Sequence, residues 1–502
     1  MGIKAFLSKP YAKYIHQKVL SSARNAVKHQ NEIFFTLIGA AKNTLFGIDH
    51  QFDKIKTYED FKNRVPVRDY EQLKPYIDKT VAGQSDILWP GKPLYLCKTS
   101  GTTSGTKYIP LTKASMPNHI NSAKEALLCY IALTGKSSFV DGKMIFLQGS
   151  PALNNQNGIP IGRLSGIVAH HVPKYLQKNR MPGYHTNCIE DWETKVRAIA
   201  DETLKEDMRL ISGIPSWVQM YFEILIEKSR KNTISEIFPQ FSLFVYGGVN
   251  YEPYRPRFEK LIGKKIDSIE LYPASEGFIA YQDTQDEPGM LLTVNSGIFY
   301  EFIPADEFFK ENPTRISLKD VELNKNYAIV LSTNAGMWAY NIGDTVKFVS
   351  LNPYRLIVTG RIKHYTSAFG EHVIAEEVEY AMQEALKECG GEVIEFTLAP
   401  QVTPQQGELP FHEWFIEFNQ LPSDIDRFKK VLENAMCKKN IYYNDLIKGN
   451  VLQNLKISLL GKNAFNEYMK SQGKLGGQNK VPRLSNDRKI AQGLEVYKIK
   501  TI

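Results

Sequence analysis

The sequence predicts an α/β protein: a large N-terminal α/β domain with a β-rich lobe over residues 1–360, and a small α+β domain over 361–502. Three observations carry this reading. Strand-like apolar runs alternate with helical patterns through the middle of the chain, as α/β units with a largely parallel sheet require. Between Leu291 and Val358 strands dominate, with Gly, Pro and Asn at the joints. After Gly360-Arg361 the pattern becomes a compact mixture of helices and strands of ordinary domain size.

From Tyr11 to about Phe46 the apolar residues Ile15, Val19, Val27, Phe34, Leu37, Ile38, Ala41 and Leu45 recur at helical spacing until Gly47. This predicts one long helix or two in tandem. Tyr58 to Val81 reads as short helices around Pro66 and Pro75. The strands expected next are Lys143–Gln148, Leu243–Tyr246, Ile266–Leu271 and Ala328–Ser332, with helices over Ile189–Asp207 and Trp217–Lys231. The C-terminal unit reads as helix Ala375–Glu388, strands Glu392–Ala399 and His412–Phe418, helix Ser423–Met436, strand Leu452–Leu460 and helix Lys462–Ser471. No internal repeat or low-complexity segment interrupts this order.

A chain of 502 residues with 43% hydrophobic and 23% charged residues builds a full core, which excludes disordered and fibrous classes. The 62 Lys+Arg against 54 Asp+Glu leave +8, but the basic residues are interleaved with acids, so no nucleic-acid partner is expected. Five scattered cysteines, odd in number and without a CxxC pair, argue against a disulfide framework or zinc ribbon and for a reducing compartment. The N-terminal stretch lacks a signal-peptide core, and Phe6 stands where a myristoylation motif needs Ser or Thr. The apolar stretch Ile33–Ile48 is broken by Lys42 and Asn43 and too short to span a bilayer. The expectation is a soluble, cytoplasmic, monomeric chain with no membrane partner.

Three constellations carry chemistry. The first is Thr99-Ser100-Gly101-Thr102-Thr103-Ser104-Gly105-Thr106-Lys107, after the apolar run Leu94–Cys97. Its glycines permit tight turns, its hydroxyls and freed N–H groups suit phosphate oxygens, and Lys107 adds charge. It is no Walker A loop, because Lys107 lies between Thr106 and Tyr108. The second is Leu271-Tyr272-Pro273-Ala274-Ser275-Glu276-Gly277, where Glu276 at a strand's C-terminal end is placed to hold Mg²⁺ against phosphates. Turn geometry alone also accounts for Ser, Glu and Gly there. The third is Tyr340-Asn341-Ile342-Gly343-Asp344, followed by Gly360-Arg361; a carboxylate on a tight turn can accept two ribose hydroxyls, or simply cap a hairpin. The pair His170-His171 lacks HExxH spacing, and His185 beside Cys188 reads as incidental.

In this order the three constellations resemble the adenylate-forming superfamily of acyl-CoA synthetases, luciferases and nonribosomal adenylation domains. The chain is more similar still to the plant auxin-responsive acyl acid–amido synthetase family and its bacterial relatives. That likeness rests on Val65-Pro66 with Tyr70, Lys74-Pro75-Tyr76-Ile77, Gly213-Ile214-Pro215-Ser216-Trp217, and Tyr246-Gly247-Gly248 with Pro253-Tyr254. Gly297 with Phe299-Tyr300-Glu301-Phe302-Ile303-Pro304, and Gln478 with Lys480-Val481-Pro482-Arg483, complete it. Five positions depart from the superfamily pattern: Pro273 stands for a glycine, Ala339 and Asn341 for arginines, Ser104 for a loop glycine, and Lys363 for the hinge Asp.

The resemblance implies an ATP- and Mg²⁺-dependent ligase that joins a carboxylic acid to AMP and passes the acyl group to an amine, usually of an amino acid. The nearest alternative is an acyl-CoA ligase working through the same acyl-adenylate; a non-catalytic nucleotide-binding protein is third. It implies that Gly248, Ala274 and Tyr272 hold adenine, Asp344 the ribose, and Ser100, Gly101, Thr102 and Thr103 the phosphates. Ser275 and Arg361 complete the nucleotide set, with Gly360-Arg361 opening a hinge. Glu276 takes Mg²⁺, and Lys107 and Lys480 supply charge, Lys480 from a C-terminal domain that turns between half-reactions. Ser165, in the loop Ser150–Gly166, and Trp217 border the acyl pocket.

Overall fold

The structure is a computed structural model that describes every residue except 1, 103–104, 173–176, 249–250, 363–372, 403, 405–407, 449–450, 476–478 and 486–487. At 100–102, 105–106, 216, 253, 441–442 and 445 it describes the backbone alone. Two compact units emerge: one of Met1–Ile214, Phe238–Gly248 and Ile266–Val358, the other of Pro215–Ile237, Val249–Lys265 and Thr359–Ile502.

The first unit opens with helices α1 (Ile3–Arg24) and α2 (Ala26–Ala41). The tandem reading holds, but the first helix starts eight residues before the Tyr11 that the periodicity marked. The break falls at Asn25, whose φ −105°, ψ 26° is not helical and whose side-chain amide donates to the Ser21 carbonyl at 2.9 Å. Such a side chain offers the backbone an alternative to the helical ladder. Gly47 does not end the run. It lies inside a further short helix, Leu45–Asp49, where any Cβ would sit 2.1 Å from the Ala41 carbonyl oxygen. Its role is close backbone approach. Helix Tyr70–Val81 begins at a capping box in which Asp69 and Gln72 satisfy each other's backbone N–H groups.

Strands β1 (Tyr95–Thr102) and β2 (Gly105–Leu111) form an antiparallel hairpin, and β1 also pairs in parallel with β5 (Ile159–Gly162), which β4 (Asn154–Gln156) edges. Among the described residues the main sheet has twelve strands. Its parallel part runs β6 (Arg180–Met181), β3 (Lys143–Phe146), β7 (Met208–Ser212), β8 (Leu243–Gly247) and β9 (Asp267–Pro273). Beyond β9 the order continues β10 (Phe278–Tyr281), β11 (Met290–Leu292), β16 (Tyr354–Arg361), β15 (Tyr340–Leu351), β14 (Asn326–Thr333), β12 (Ile298–Pro304) and β13 (Ile316–Ser317). The β-rich stretch is thus hydrogen-bonded to the parallel strands as one sheet. β12 is buried along its whole length. Its Glu301 pairs bidentately with Arg315, at 2.6 and 2.8 Å, and Arg315 also donates to the Val65 carbonyl at 2.6 Å. The Tyr-Glu-Phe-Ile-Pro string and Val65-Pro66 therefore meet in a structural ion pair. A buried carboxylate must be matched in this way.

The second unit is built on a sheet of β17 (Glu392–Gln401), β18 (Phe411–Gln420), β19 (Lys456–Leu460) and β20 (Lys498–Thr501). Helices Ala375–Cys389 and Ile425–Lys439 pack on it over Phe396, Trp414, Phe428 and Leu432. Segments 215–237 and 249–265 belong to the same unit. Phe222 and Phe258 meet at 5.7 Å, and Arg257 joins Glu223 to Glu392 at 2.9 and 3.0 Å.

Candidate active site

The hydroxyl-rich stretch is the tip of the β1–β2 hairpin. Thr99 pairs with Lys107, and Thr102 with Gly105, with a register shift between the two pairs. Ser100, Gly101 and Thr102 thus lie on the backbone of β1; Thr103 lies outside the described residues. Lys107 is half-buried on β2, its Nζ 5.2 Å from the centre of the Tyr70 ring, while the Tyr70 hydroxyl accepts the Tyr108 N–H at 2.9 Å. Tyr70 thereby supports the strand that carries Lys107.

β9 is the last parallel strand, and the turn after it closes an antiparallel hairpin with β10. Ala274 and Gly277 exchange backbone hydrogen bonds at 3.0 and 3.2 Å, which sets Ser275 and the half-buried Glu276 at the tip. The Cys97 thiol, on β1 and fully buried, donates to Ser275 Oγ at 3.2 Å. Burial pushes that thiol up to about 12; the Ser275 hydrogen bond opposes this, and the nearby Glu276 carboxylate adds to it. The base of the hydroxyl-rich hairpin and the Glu276 turn are therefore one structure. On helix Met116–Thr134 the Asn118 amide brackets Phe278, accepting its N–H at 2.6 Å and donating to its carbonyl at 3.1 Å.

Asp344 lies on neither a tight turn nor a hairpin end. It sits inside the long strand β15, at a bulge: Ala328 pairs with Thr345 and Val330 with Asn341, so Ile342, Gly343 and Asp344 oppose Ile329 alone. Gly343 has φ +89°, and its N–H is held at 2.9 Å by Asn341 Oδ1. Such a bulge re-aims a side chain. Asp344 accepts the Tyr272 hydroxyl at 2.7 Å. Strands β9 and β15 are separated by β10, β11 and β16, which in a flat sheet would part them by about 19 Å. The sheet must curl for these side chains to touch.

Gly247 and Gly248 end β8. A Cβ on Gly247 would lie 2.4 Å from the Leu271 carbonyl oxygen of β9, and Gly248 has φ +76°. The Tyr-Gly-Gly string is thus what lets β8 run tightly beside β9 and then turn. Ser165 Oγ accepts the Gly149 N–H at 3.3 Å. In the second unit Trp217 is buried, Arg361 is exposed at the end of β16, and Lys480 is exposed. The segment after Lys480 is fastened to β17. Thr397 Oγ1 donates to the Pro482 carbonyl at 2.7 Å and Leu398 N to that of Arg483 at 2.9 Å. Arg483 itself is buried between Glu395, Glu379 and Tyr254. Lys363 lies outside the described residues.

Two buried groups were not singled out from the sequence. Lys195 donates to the carbonyls of Gln148 and Asn187 at 3.0 and 2.6 Å, tying down the chain beyond β3; burial pushes its ammonium down to about 8. Its signal was positional: it shares the helix face of Trp192, Val196 and Ile199. His119 is 3% exposed, with neither ring nitrogen hydrogen-bonded, and burial pushes it down to about 4. The unfolded chain therefore holds a proton between pH 4 and 6.5 that the folded chain refuses, so stability falls as pH drops through that window. A shift of this size corresponds to about 3 kcal/mol. Expected for His119→Leu is a shallower loss of melting temperature between pH 7 and pH 4 than in the parent chain, read by calorimetry across pH.

Among the described residues no three His, Cys, Asp or Glu side chains cluster to hold a metal ion. A single carboxylate at Glu276 fits Mg²⁺ that arrives with phosphates, since that ion is usually held by one or two carboxylates plus substrate oxygens. No helix of the described residues is long and apolar enough to cross a membrane.

This fold, in which parallel strands give way to antiparallel ones within one sheet, is similar to that of solved acyl acid amido synthetase and CoA ligase structures. The structure superposes on the AtGH3.15 acyl acid amido synthetase in complex with 2,4-DB with a TM-score of 0.79 at 16% identity, covering 97% of this chain and 96% of that one. It superposes on 2-hydroxyisobutyryl-CoA ligase in the postadenylation state with a TM-score of 0.59 at 13% identity, covering 94% and 91%.

The chain belongs to the GH3 family. The GH3 family N-terminal domain matches residues 15–187 and 180–266, the central domain 291–361 and the C-terminal domain 376–489. Indole-3-acetic acid-amido synthetase GH3.15 of Arabidopsis thaliana is 33% identical over 373 residues, 60% of this chain and 61% of that protein. Jasmonoyl–L-amino acid synthetase JAR4 of Nicotiana attenuata is 23% identical over 356 residues, 57% of this chain and 60% of that one. In both alignments the chain spans about three fifths of the relative's length.

Proposed function

We propose that the protein is an ATP-dependent acyl acid–amido synthetase, which activates a carboxylic acid as an acyl-adenylate with release of pyrophosphate and transfers the acyl group to the amine of an amino acid. The observation that carries this reading is convergence. Tyr272, the Ser275-Glu276 turn, the root of the Thr99–Lys107 hairpin and Asp344 come from distant stretches and meet through the Tyr272–Asp344 and Cys97–Ser275 hydrogen bonds.

The chemistry is charge handling. A carboxylate must approach an α-phosphate, so donors and cations must be in place before the reaction begins. Ser100–Thr103 and Lys107 line the phosphates, Asp344 receives the ribose, and Tyr272 with Gly248 and Ala274 receives the adenine. Glu276 holds Mg²⁺, which neutralises phosphate charge when bound. Lys480, on the domain beyond Gly360-Arg361, supplies a further cation to the carboxylate and α-phosphate oxygens. AMP is then the leaving group, so no protein nucleophile is needed. The acid and amine are small molecules, and Ser165 and Trp217 border the acid. Pyrophosphate release across a panel of carboxylic acids, then product formation with amino acids against coenzyme A, tests the reading; a thioester product would assign the acyl-CoA ligase instead.

Asp344 carries a separate test. Asp344→Ala is expected to weaken ATP by about 1.5–3 kcal/mol for each charged hydrogen bond lost, to leave the acid's KM little changed, and to discriminate less against 2′-deoxy-ATP. Tyr272→Phe removes only the 2.7 Å contact and is expected to give a smaller effect in the same direction. Equal loss of ATP and acid in Asp344→Ala would show a collapsed bulge instead.

A further inference from the structure

Helix α1 is attached to its unit by one face. Asp141 accepts the N–H groups of Gly2 and Ala5 at 2.7 and 3.1 Å, and Ser137 Oγ donates to the Ala5 carbonyl at 2.9 Å. Ala5, Ala12 and Ala23 are buried, Ala12 against the Ala126–Ile131 stretch of the neighbouring helix. Ile15 and Val19 pack partly on the same side.

The opposite face is apolar as well. Ile3, Phe6, Leu7, Tyr11 and Tyr14 are exposed at 79, 68, 60, 47 and 66%. At helical spacing these five fall on one arc, a stripe of large side chains presented to solvent. Exposed apolar residues scattered singly need no explanation; a contiguous stripe marks an interaction surface.

Charge decides what the stripe fits. From Ile3 to Arg24 the sequence IKAFLSKPYAKYIHQKVLSSAR contains Lys4, Lys9, Lys13, Lys18 and Arg24 and no Asp or Glu. Lys4 borders the stripe on one side, Lys9 and Lys13 on the other. A second copy of this helix laid against the stripe would bring lysine rows together with no acid between them, which is unfavourable. An anionic bilayer surface offers both requirements at once: hydrocarbon for the stripe and negative head groups for its lysine borders.

We propose that α1 lies in the plane of an anionic membrane surface, with Ile3, Phe6, Leu7, Tyr11 and Tyr14 set into the head-group boundary and the lysines at its phosphates. The expectation of no membrane partner rested on the absence of a spanning segment, which does not bear on a helix lying flat. Burying five apolar side chains and placing several lysines near the surface gives reversible attachment, not insertion.

The test uses the full chain in flotation with vesicles of phosphatidylcholine alone and of phosphatidylcholine mixed with phosphatidylglycerol, at low and high ionic strength. Expected is at least about tenfold stronger partitioning to the anionic vesicles at low salt, weakened by salt. Phe6→Glu combined with Leu7→Glu should reduce it about tenfold or more, and Lys9→Gln with Lys13→Gln should remove the preference for anionic lipid. Phe6, Leu7 and Lys13 are exposed and Lys9 is half-buried, and an unchanged melting temperature shows that each variant folds. Wild-type chain that stays with neither vesicle, or binding that survives Phe6→Glu/Leu7→Glu in a folded variant, would overturn the proposal. So would a wild-type dimer in sedimentation velocity that the same double variant turns into monomer, since the stripe would then face a second copy.

Discussion

Lys480→Ala is expected to slow acyl-adenylate formation by about 10²–10³-fold, the usual cost of removing one donor aimed at charge that develops in the transition state. ATP binding should change little, because the lysine acts after the nucleotide is seated. On the reading that the domain carrying Lys480 turns between half-reactions, transfer from chemically supplied acyl-adenylate to the amine should be largely spared. The local structure makes this a test of one side chain. Lys480 is exposed, whereas Pro482, Arg483 and Leu484 are pinned to β17 by the Thr397 and Leu398 hydrogen bonds and by the burial of Arg483. Truncating Lys480 leaves those anchors in place, so the melting temperature should hold. If single-turnover measurements show both half-reactions falling together, or neither, the role passes to Lys474, and Lys474→Ala is the next variant to measure.

Glu276→Gln should remove most adenylation while the fold survives. The change is isosteric at a half-buried turn whose backbone is closed by Ala274 and Gly277, so the hairpin has no reason to open. What would be lost is the negative charge proposed to hold Mg²⁺ against the phosphates. The defect should be largest at limiting Mg²⁺ and partly relieved as Mg²⁺ rises, a dependence that damage to the turn would not produce. A variant that melts like the parent and turns over at the parent's rate at limiting Mg²⁺ would remove Glu276 from this role. Cys97 and Ser275 give an internal control: Cys97→Ala deletes the 3.2 Å contact beneath the turn without touching charge and should cost far less.

Several residues of the candidate site stand out in the sequence itself. The hydroxyl-rich run, Glu276 and Asp344 are conspicuous because their chemistry is unusual for the local pattern they interrupt. For Asp344 the sequence nevertheless suggests the wrong local structure. Asn341-Ile342-Gly343-Asp344 has the composition of a tight turn, and only the pairing of β14 with β15 on both sides turns it into a bulge. The structural job of Glu301 was hidden for the opposite reason: its partner Arg315 lies beyond a strand end, and no spacing rule connects the two. Lys195 and His119 were hidden because a polar residue on an apolar helix face reads the same whether it is buried or reaches past its neighbours to water.

By itself the sequence indicated many of the helices and strands, and which side chains carry reactive or charged chemistry, because periodicity and residue type are local properties. The tertiary structure alone decided what meets what. It curled the sheet so that Tyr272 on β9 touches Asp344 on β15 across three intervening strands. It gathered 215–237 and 249–265 into a unit with the C-terminal stretch, although the chain order places them among the strands of the first. And it chose which face of α1 is buried. That helix is apolar on two sides, and periodicity cannot say which one packs; the small alanines allow close approach to the neighbouring helix, which leaves Ile3, Phe6, Leu7, Tyr11 and Tyr14 outside.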